Sequence, residues 1–163
     1  MVVLGIDPGL ATLGYAVIGE RSGGFLLHES GVVRTAPELP FPYRLKEIFV
    51  KLESIGSKHG VGEMACESLF FTRNAKTCIN VAHARGVVVL LSALRNIRFF
   101  EYTPTKVKST LTGYGKADKK QMQKMMKLLL NLERVPAVDD EADAMALAIC
   151  HLQHRRFAEC SGM

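Results

Sequence analysis

The chain contains only five aspartates, and three of them, Asp139, Asp140 and Asp143, lie together. Asp140 and Asp143 are spaced i, i+3, so on a helix both project from one face within the first turn. A fourth, Asp7, ends the apolar run Val2-Val3-Leu4-Gly5-Ile6 just before Pro8-Gly9, and Glu67 ends a second strand-like stretch over 62–67. Each has an ordinary structural explanation. Asp favours turns, a glutamate at a strand end is commonly solvated, and Asp139 after Pro136 is a natural N-cap in a first turn where acids complement the helix dipole. Capping needs one acid, however, and not a helical pair. The helix continues through Ala142, Ala144, Ala146 and Ala148, small side chains that would let it pack closely on a sheet. That packing would bring Asp140 and Asp143 to the strand ends where Asp7 and Glu67 terminate. Four carboxylates so gathered repel unless divalent cations sit between them, and an all-oxygen set suits Mg²⁺ or Mn²⁺. Two such ions about 3.5–4 Å apart can bind both the attacking and the leaving oxygen of a phosphodiester. Asp7, Glu67, Asp140 and Asp143 are therefore the candidate catalytic and metal-binding residues.

The charge distribution fits a polyanionic substrate. Between Lys106 and Lys127 the sequence carries seven lysines and one acid, Asp118, a local +6 that exceeds the +5 of the whole chain. A cationic face of this kind gains by releasing counterions from nucleic-acid phosphates; a solvated helix face is the plainer alternative. The lysines of this window, Lys108, Lys116, Lys119 and Lys120 among them, are candidate phosphate contacts.

The elements that must position these groups follow from periodicity and turn signals. Residues 2–7 read as a buried strand, and 14–18 and 25–35 as two more joined by a hairpin turn at Gly23-Gly24. Pro37, Pro40 and Pro42 mark a connecting loop. Leu45, Ile48, Phe49, Leu52 and Ile55 recur at helical spacing. A fourth strand covers 62–67, a long helix about 74–94, a fifth strand 97–102, and helices follow near 105–111, 118–130 and 139–157. Asp118 with Gln121 forms a capping box for the second of these. Three strands and then alternating helix and strand give an α/β layer pattern around one five-stranded mixed sheet flanked by helices. The length suits one domain, taken as residues 1–157 with a tail over 158–163. Hydrophobic residues make up 48% and charged residues 23%, which predicts a packed core and no disorder. No apolar window is long enough for a membrane span, and no basic n-region opens the chain, so a soluble intracellular protein is expected. Cys66, Cys78, Cys150 and Cys160 lack zinc spacing and are expected as reduced thiols.

These residues resemble a known family. Gly5-Ile6-Asp7-Pro8-Gly9 with Gly14-Tyr15-Ala16, Glu67-Ser68-Leu69-Phe70-Phe71 with Arg73-Asn74, Ala84-Arg85-Gly86, Tyr102 to Lys108, Gly113 to Lys119 and the stretch from Asp140 onward are similar, in order, to RuvC, the bacterial Holliday-junction resolvase family. The resemblance spans about residues 1–155. It implies an RNase H-like fold and a symmetric homodimer that makes paired nicks in a four-way DNA junction. It also implies Mg²⁺ or Mn²⁺ as cofactor, two ions per site, and places Asp7, Glu67, Asp140 and Asp143 as the metal-binding catalytic residues. Lys108 and Lys119 match positions near the scissile phosphate. Phe70 matches an aromatic that stacks on unpaired bases, and Arg73 in the same segment is expected to touch DNA. RuvA and RuvB, the branch-migration complex, are the expected partners, and the bacterial cytoplasm the expected location. Glu141 departs from the family, which usually has a small apolar residue there, and is expected to face solvent. His83 and His151 are candidate general bases, although a structural histidine is the commoner case.

Three other readings differ in substrate or class. A related YqgF-type nuclease would act on RNA, and a non-catalytic protein would bind junctions without cutting them. A nucleotide-binding domain of the actin, Hsp70 and sugar-kinase type opens with a similar strand and turn, but needs two lobes where this length allows one.

Overall fold

The computed structural model describes residues 1–68, 75–134 and 136–160, with the side chains of 75–77 and 158–160 left aside. Its strands are β1 (Val2–Asp7), β2 (Thr12–Arg21), β3 (Gly24–Arg34), β4 (Glu63–Glu67) and β5 (Arg98–Tyr102). Its helices are α1 (Phe41–His59), α2 (Ala75–Leu94), α3 (Pro104–Thr112), α4 (Lys119–Leu130) and α5 (Asp139–Cys160). Among the described residues the strands form one sheet in the order β3-β2-β1-β4-β5. The β1–β2 and β2–β3 pairs are antiparallel, and the β1–β4 and β4–β5 pairs are parallel.

Alternation along the strands divides the interior into two cores. Leu4 and Ile6 of β1 and Met64 of β4 face α1 and α2, packing on Ile48, Leu52, Ala84, Val88 and Leu91. Val3 and Ala65 face the other way, against α3, α4 and α5, where Ala144, Leu147, Ala148 and Leu152 meet them. A strand period of two therefore sends Asp7 and Glu67, in phase with Val3 and Ala65, to the α5 side. Cys66 and Cys150 are buried in the interior.

Helix ends follow their local chemistry. Asp118 caps α4 with the full capping box: its side chain accepts from Gln121 N–H at 2.8 Å while the Gln121 side chain accepts from Asp118 N–H at 2.9 Å. Thr103 caps α3, and Gly113 ends it in the left-handed conformation. Several boundaries differ from expectation; β2, for one, runs Thr12–Arg21 and not 14–18. The proline-rich segment is only partly a loop, because α1 begins at Phe41 and accepts Pro42 in its first turn; there the missing N–H is no loss. Helix α5 runs to Cys160, beyond the expected end near Phe157.

Candidate active site

Strand register brings the first two acids together. Ile6 of β1 pairs in parallel with Cys66 of β4, so Asp7 and Glu67, each one residue further on, stand at the carboxyl ends of adjacent strands on one face. Across β2, Asp7 pairs with Gly14. A Cβ at Gly14 would overlap the Asp140 carbonyl oxygen, and one at Gly5 would overlap the Ala144 carbonyl and lie 2.9 Å from Ala148 Cβ. The start of α5 thus rests directly on β1 and β2, which only glycine on the sheet and alanine on the helix permit. The close packing expected from the alanines is present, and it carries Asp140 and Asp143 to the strand ends that hold Asp7 and Glu67.

The electrostatics record the crowding. Burial, then the charges of Glu67, Asp143 and Asp140, push the Asp7 carboxyl from 3.8 up to about 7. Glu67 is raised by burial and by Asp143. Asp143 is solvent-exposed, yet the protein around it raises its carboxyl first, followed by Asp139 and Asp140, while Lys119 and Lys108 draw it down. Removing water from anions and setting them beside one another both favour the neutral acid. Among the described residues no group of three or more His, Cys, Asp or Glu side chains is drawn together as a ready metal cage. The donor set nevertheless fits a hard divalent ion: oxygen atoms only, with a surplus of negative charge that a cation relieves.

Glu67 and Asp143 open onto a cleft of about 330 Å³ whose rim carries Lys108, Lys119 and Asp139 and whose floor is apolar, with Val107, Met122, Met126 and Leu147. Lys119 is ion-paired with Asp139. Of the four lysines singled out, Lys108 and Lys119 line the cleft. Lys116 and Lys120 are exposed nearby, in the loop before α4 and in its first turn. Phe70 and Arg73, with Phe71 and Asn74, lie outside the described residues.

Glu141 is a correction. It is half-buried and accepts a hydrogen bond from Ser30 Oγ at 2.6 Å. Seating the first turn of α5 on Gly14 leaves the next side chain facing β3 and not solvent. His83 packs edge-on against Phe41 with ring centroids 4.9 Å apart. His151 is buried in a polar network: its Nε2 lies 2.7 Å from Glu63 Oε2, and the Tyr102 hydroxyl lies 2.7 Å from its Nδ1. Burial raises the Glu63 carboxyl, but hydrogen bonds from Arg155 and His151 outweigh it and hold Glu63 below its usual range. Burial keeps the His151 imidazole low against the pull of Glu63, and pushes the Tyr102 phenol up to about 12. A protonated phenol donating to Nδ1 and an Nε2–H donating to carboxylate satisfy every member. Sequence reasoning missed Glu63, whose one signal was its phase with Ala65 and Glu67 along β4.

The family model described as "Crossover junction endodeoxyribonuclease RuvC" matches residues 3–151. Under that same name, a protein of Alkaliphilus oremlandii is 48% identical over 159 residues, covering 98% of this chain and 97% of its own. One of Alkaliphilus metalliredigens is 45% identical over 157 residues, 96% of each. Among solved structures, "T. thermophilus RuvC in complex with Holliday junction substrate" superposes with a TM-score of 0.93 at 30% identity, covering 97% of this chain and 96% of that one.

Proposed function

The chain belongs to the RuvC family of crossover junction endodeoxyribonucleases, and from that premise we propose that it resolves four-way (Holliday) DNA junctions with Asp7, Glu67, Asp140 and Asp143, at the mouth of the cleft that Glu67 and Asp143 line. The observation that carries the residue assignment is the carboxyl of Asp7, driven up to about 7 by burial and by the other three acids. An anion so costly at the end of a central strand serves stability poorly and serves a cation well. Mg²⁺ or Mn²⁺, two ions per site, would be held by these four side chains and would supply the Lewis-acid charge that phosphodiester hydrolysis draws on.

The chain's own groups do the rest. Asp7 and Glu67 are carried by paired strands, and Asp140 and Asp143 by a helix pressed against the sheet, so the backbone that bears the four acids is fixed before substrate arrives and their side chains would close on the ions. Lys108 and Lys119 hold the phosphate backbone at the rim, and Lys116 and Lys120 extend the cationic surface. Phe70 and Arg73 contact the bases and backbone near the crossover. Exposed Ile79, Leu90 and Leu94 on one side of α2 support a symmetric homodimer, which would present two sites to two strands and so yield paired nicks. RuvA and RuvB are the proposed partners, and the bacterial cytoplasm the proposed location; among the described residues no helix is long and apolar enough to cross a membrane.

The test is an end-labelled four-way junction incubated with the protein in Mg²⁺, beside an EDTA control and an Asp7→Asn variant. Paired symmetric nicks giving linear duplexes, lost in both controls, are expected. A junction that is bound but uncut in either Mg²⁺ or Mn²⁺ would refute the catalytic reading.

A further inference from the structure

Beyond the four acids, α5 meets the sheet through polar contacts at Ser30 (from Glu141) and at Glu20 and the Gly24 carbonyl (from Arg156), and through one that is fully buried. Glu63, on β4, is 1% exposed and receives three donors: His151 Nε2 at 2.7 Å, Arg155 at 2.6 Å and Arg98. His151, also 1% exposed, is held from its other nitrogen by Tyr102 of β5 and packs on Phe100 with ring centroids 4.4 Å apart. Tyr102 is the register partner of Glu67, and its carbonyl accepts from Ser68 N–H at 3.0 Å. The network thus joins β4, β5 and α5, and touches the backbone beside one of the catalytic acids.

We propose that Glu63 and His151 are positioning residues, whose buried bridge sets how far along β4 the helix α5 stands and thereby the separation of Asp140 and Asp143 from Glu67 and Asp7. The inference rests on the proposed role of the four acids. Three observations lead to it. First, the closest α5–sheet approach is made by Gly5, Gly14, Ala144 and Ala148, with Leu147, Ile149 and Leu152 packed on Val3, Ile18 and Ala65 beside it. The glycine–alanine surface allows that close approach but offers few knobs that resist sliding, whereas hydrogen bonds are directional. Second, the two contacts are rungs of one ladder. From Asp143 to His151 the helix rises about 12 Å over eight residues, and from Glu67 back to Glu63 the strand runs about 13 Å over four. Fixing one rung therefore fixes the other. Third, a buried charge network adds little net stability over apolar packing of the same shape, and its best attested use is to select one register. An active site in which a misplacement of about 1 Å can cost on the order of 100-fold in rate has need of that selection.

The decisive variant is Glu63→Leu with His151→Leu, which replaces the bridge by apolar contact, measured beside wild type for thermal stability, Mn²⁺ binding by calorimetry without DNA, junction binding in EDTA, and cleavage. The expected result is a melting temperature close to wild type, unchanged junction binding, Mn²⁺ affinity weakened about 10-fold and cleavage slowed by about 10- to 100-fold. Wild-type Mn²⁺ affinity in the folded double variant would overturn the proposal, as would a loss of affinity that merely follows the unfolded fraction. Should the double variant not fold, His151→Phe keeps the ring against Phe100 and leaves Glu63 its two arginines. Weakened Mn²⁺ binding in that folded protein supports the proposal, and unchanged binding overturns it. A wild type that binds Mn²⁺ but cuts no junction would sink the proposed function while leaving the positioning claim to stand or fall on calorimetry.

Discussion

Replacing Asp7 by Asn should make the metal-free protein more stable while abolishing its chemistry. In the folded chain the Asp7 carboxyl is raised from 3.8 to about 7, so folding favours its protonated form. For an acid shifted upward the penalty is absent below the unfolded value, grows between the two values, and is complete above the folded one. At about 1.4 kcal/mol per pH unit the full shift corresponds to about 4 kcal/mol, and partial contact with solvent reduces this to roughly 2–4 kcal/mol. Asparagine keeps the shape and carries no charge. In EDTA at pH 8, Asp7→Asn should therefore melt roughly 5–10 °C above wild type. The gap should close as pH falls toward 4, because wild type recovers stability as Asp7 takes up its proton. Adding Mg²⁺ at pH 8 should narrow it from the other side, by raising the wild type more than the variant. Melting curves at pH 8, 6 and 4, with and without Mg²⁺, measure all three effects. A variant no more stable than wild type at pH 8, or a gap independent of pH, would refute the argument that Asp7 is held charged against the preference of the fold.

Glu67→Gln and Asp143→Asn should each lower junction cleavage by at least about 100-fold with junction binding in EDTA retained, as measured by single-turnover assay and gel shift. Lys108→Ala and Lys119→Ala should each reduce the slope of log affinity against log salt by about 1, read from junction binding at several salt concentrations. Gly14→Ala must drive a methyl into the Asp140 carbonyl, so it should cost about 1–3 kcal/mol in denaturant unfolding and abolish cleavage. Gly62→Ala, whose new methyl would meet only the Met1 sulfur at 3.6 Å, should leave both nearly unchanged.

What could be read in the sequence was what depends on near neighbours. The strand over 2–7 was marked by an apolar run, the one over 62–67 by a short stretch ending at Glu67, and the start of α4 by Asp118 and Gln121. The pairing of Asp7 with Glu67 then followed from two similar strand ends, once a sheet was assumed. What could not be read depends on contacts between distant segments. Glu63 and His151 are 88 positions apart, and neither residue type announces a partner; a glutamate inside a strand is ordinarily expected to be exposed. Glu141 was misplaced because its direction is set less by helix periodicity than by how closely Gly14 lets the helix approach. The entry into α1 was hidden by prolines, since Pro42 reads equally well in a loop and in the first turn of a helix.

The four acids come from three widely separated parts of the chain, at positions 7, 67 and 140–143. A polypeptide leaving the ribosome presents Asp7 and Glu67 long before α5 exists. Until that helix docks, Val3, Ala16, Ile18 and Ala65 lack the cover they have in the finished fold, and no pair of helical aspartates faces the strand ends. Synthesis thus yields no nuclease until the last described helix has been made. An unfinished or truncated chain lacks both at once, because the element that completes the interior also brings Asp140 and Asp143 to the proposed site.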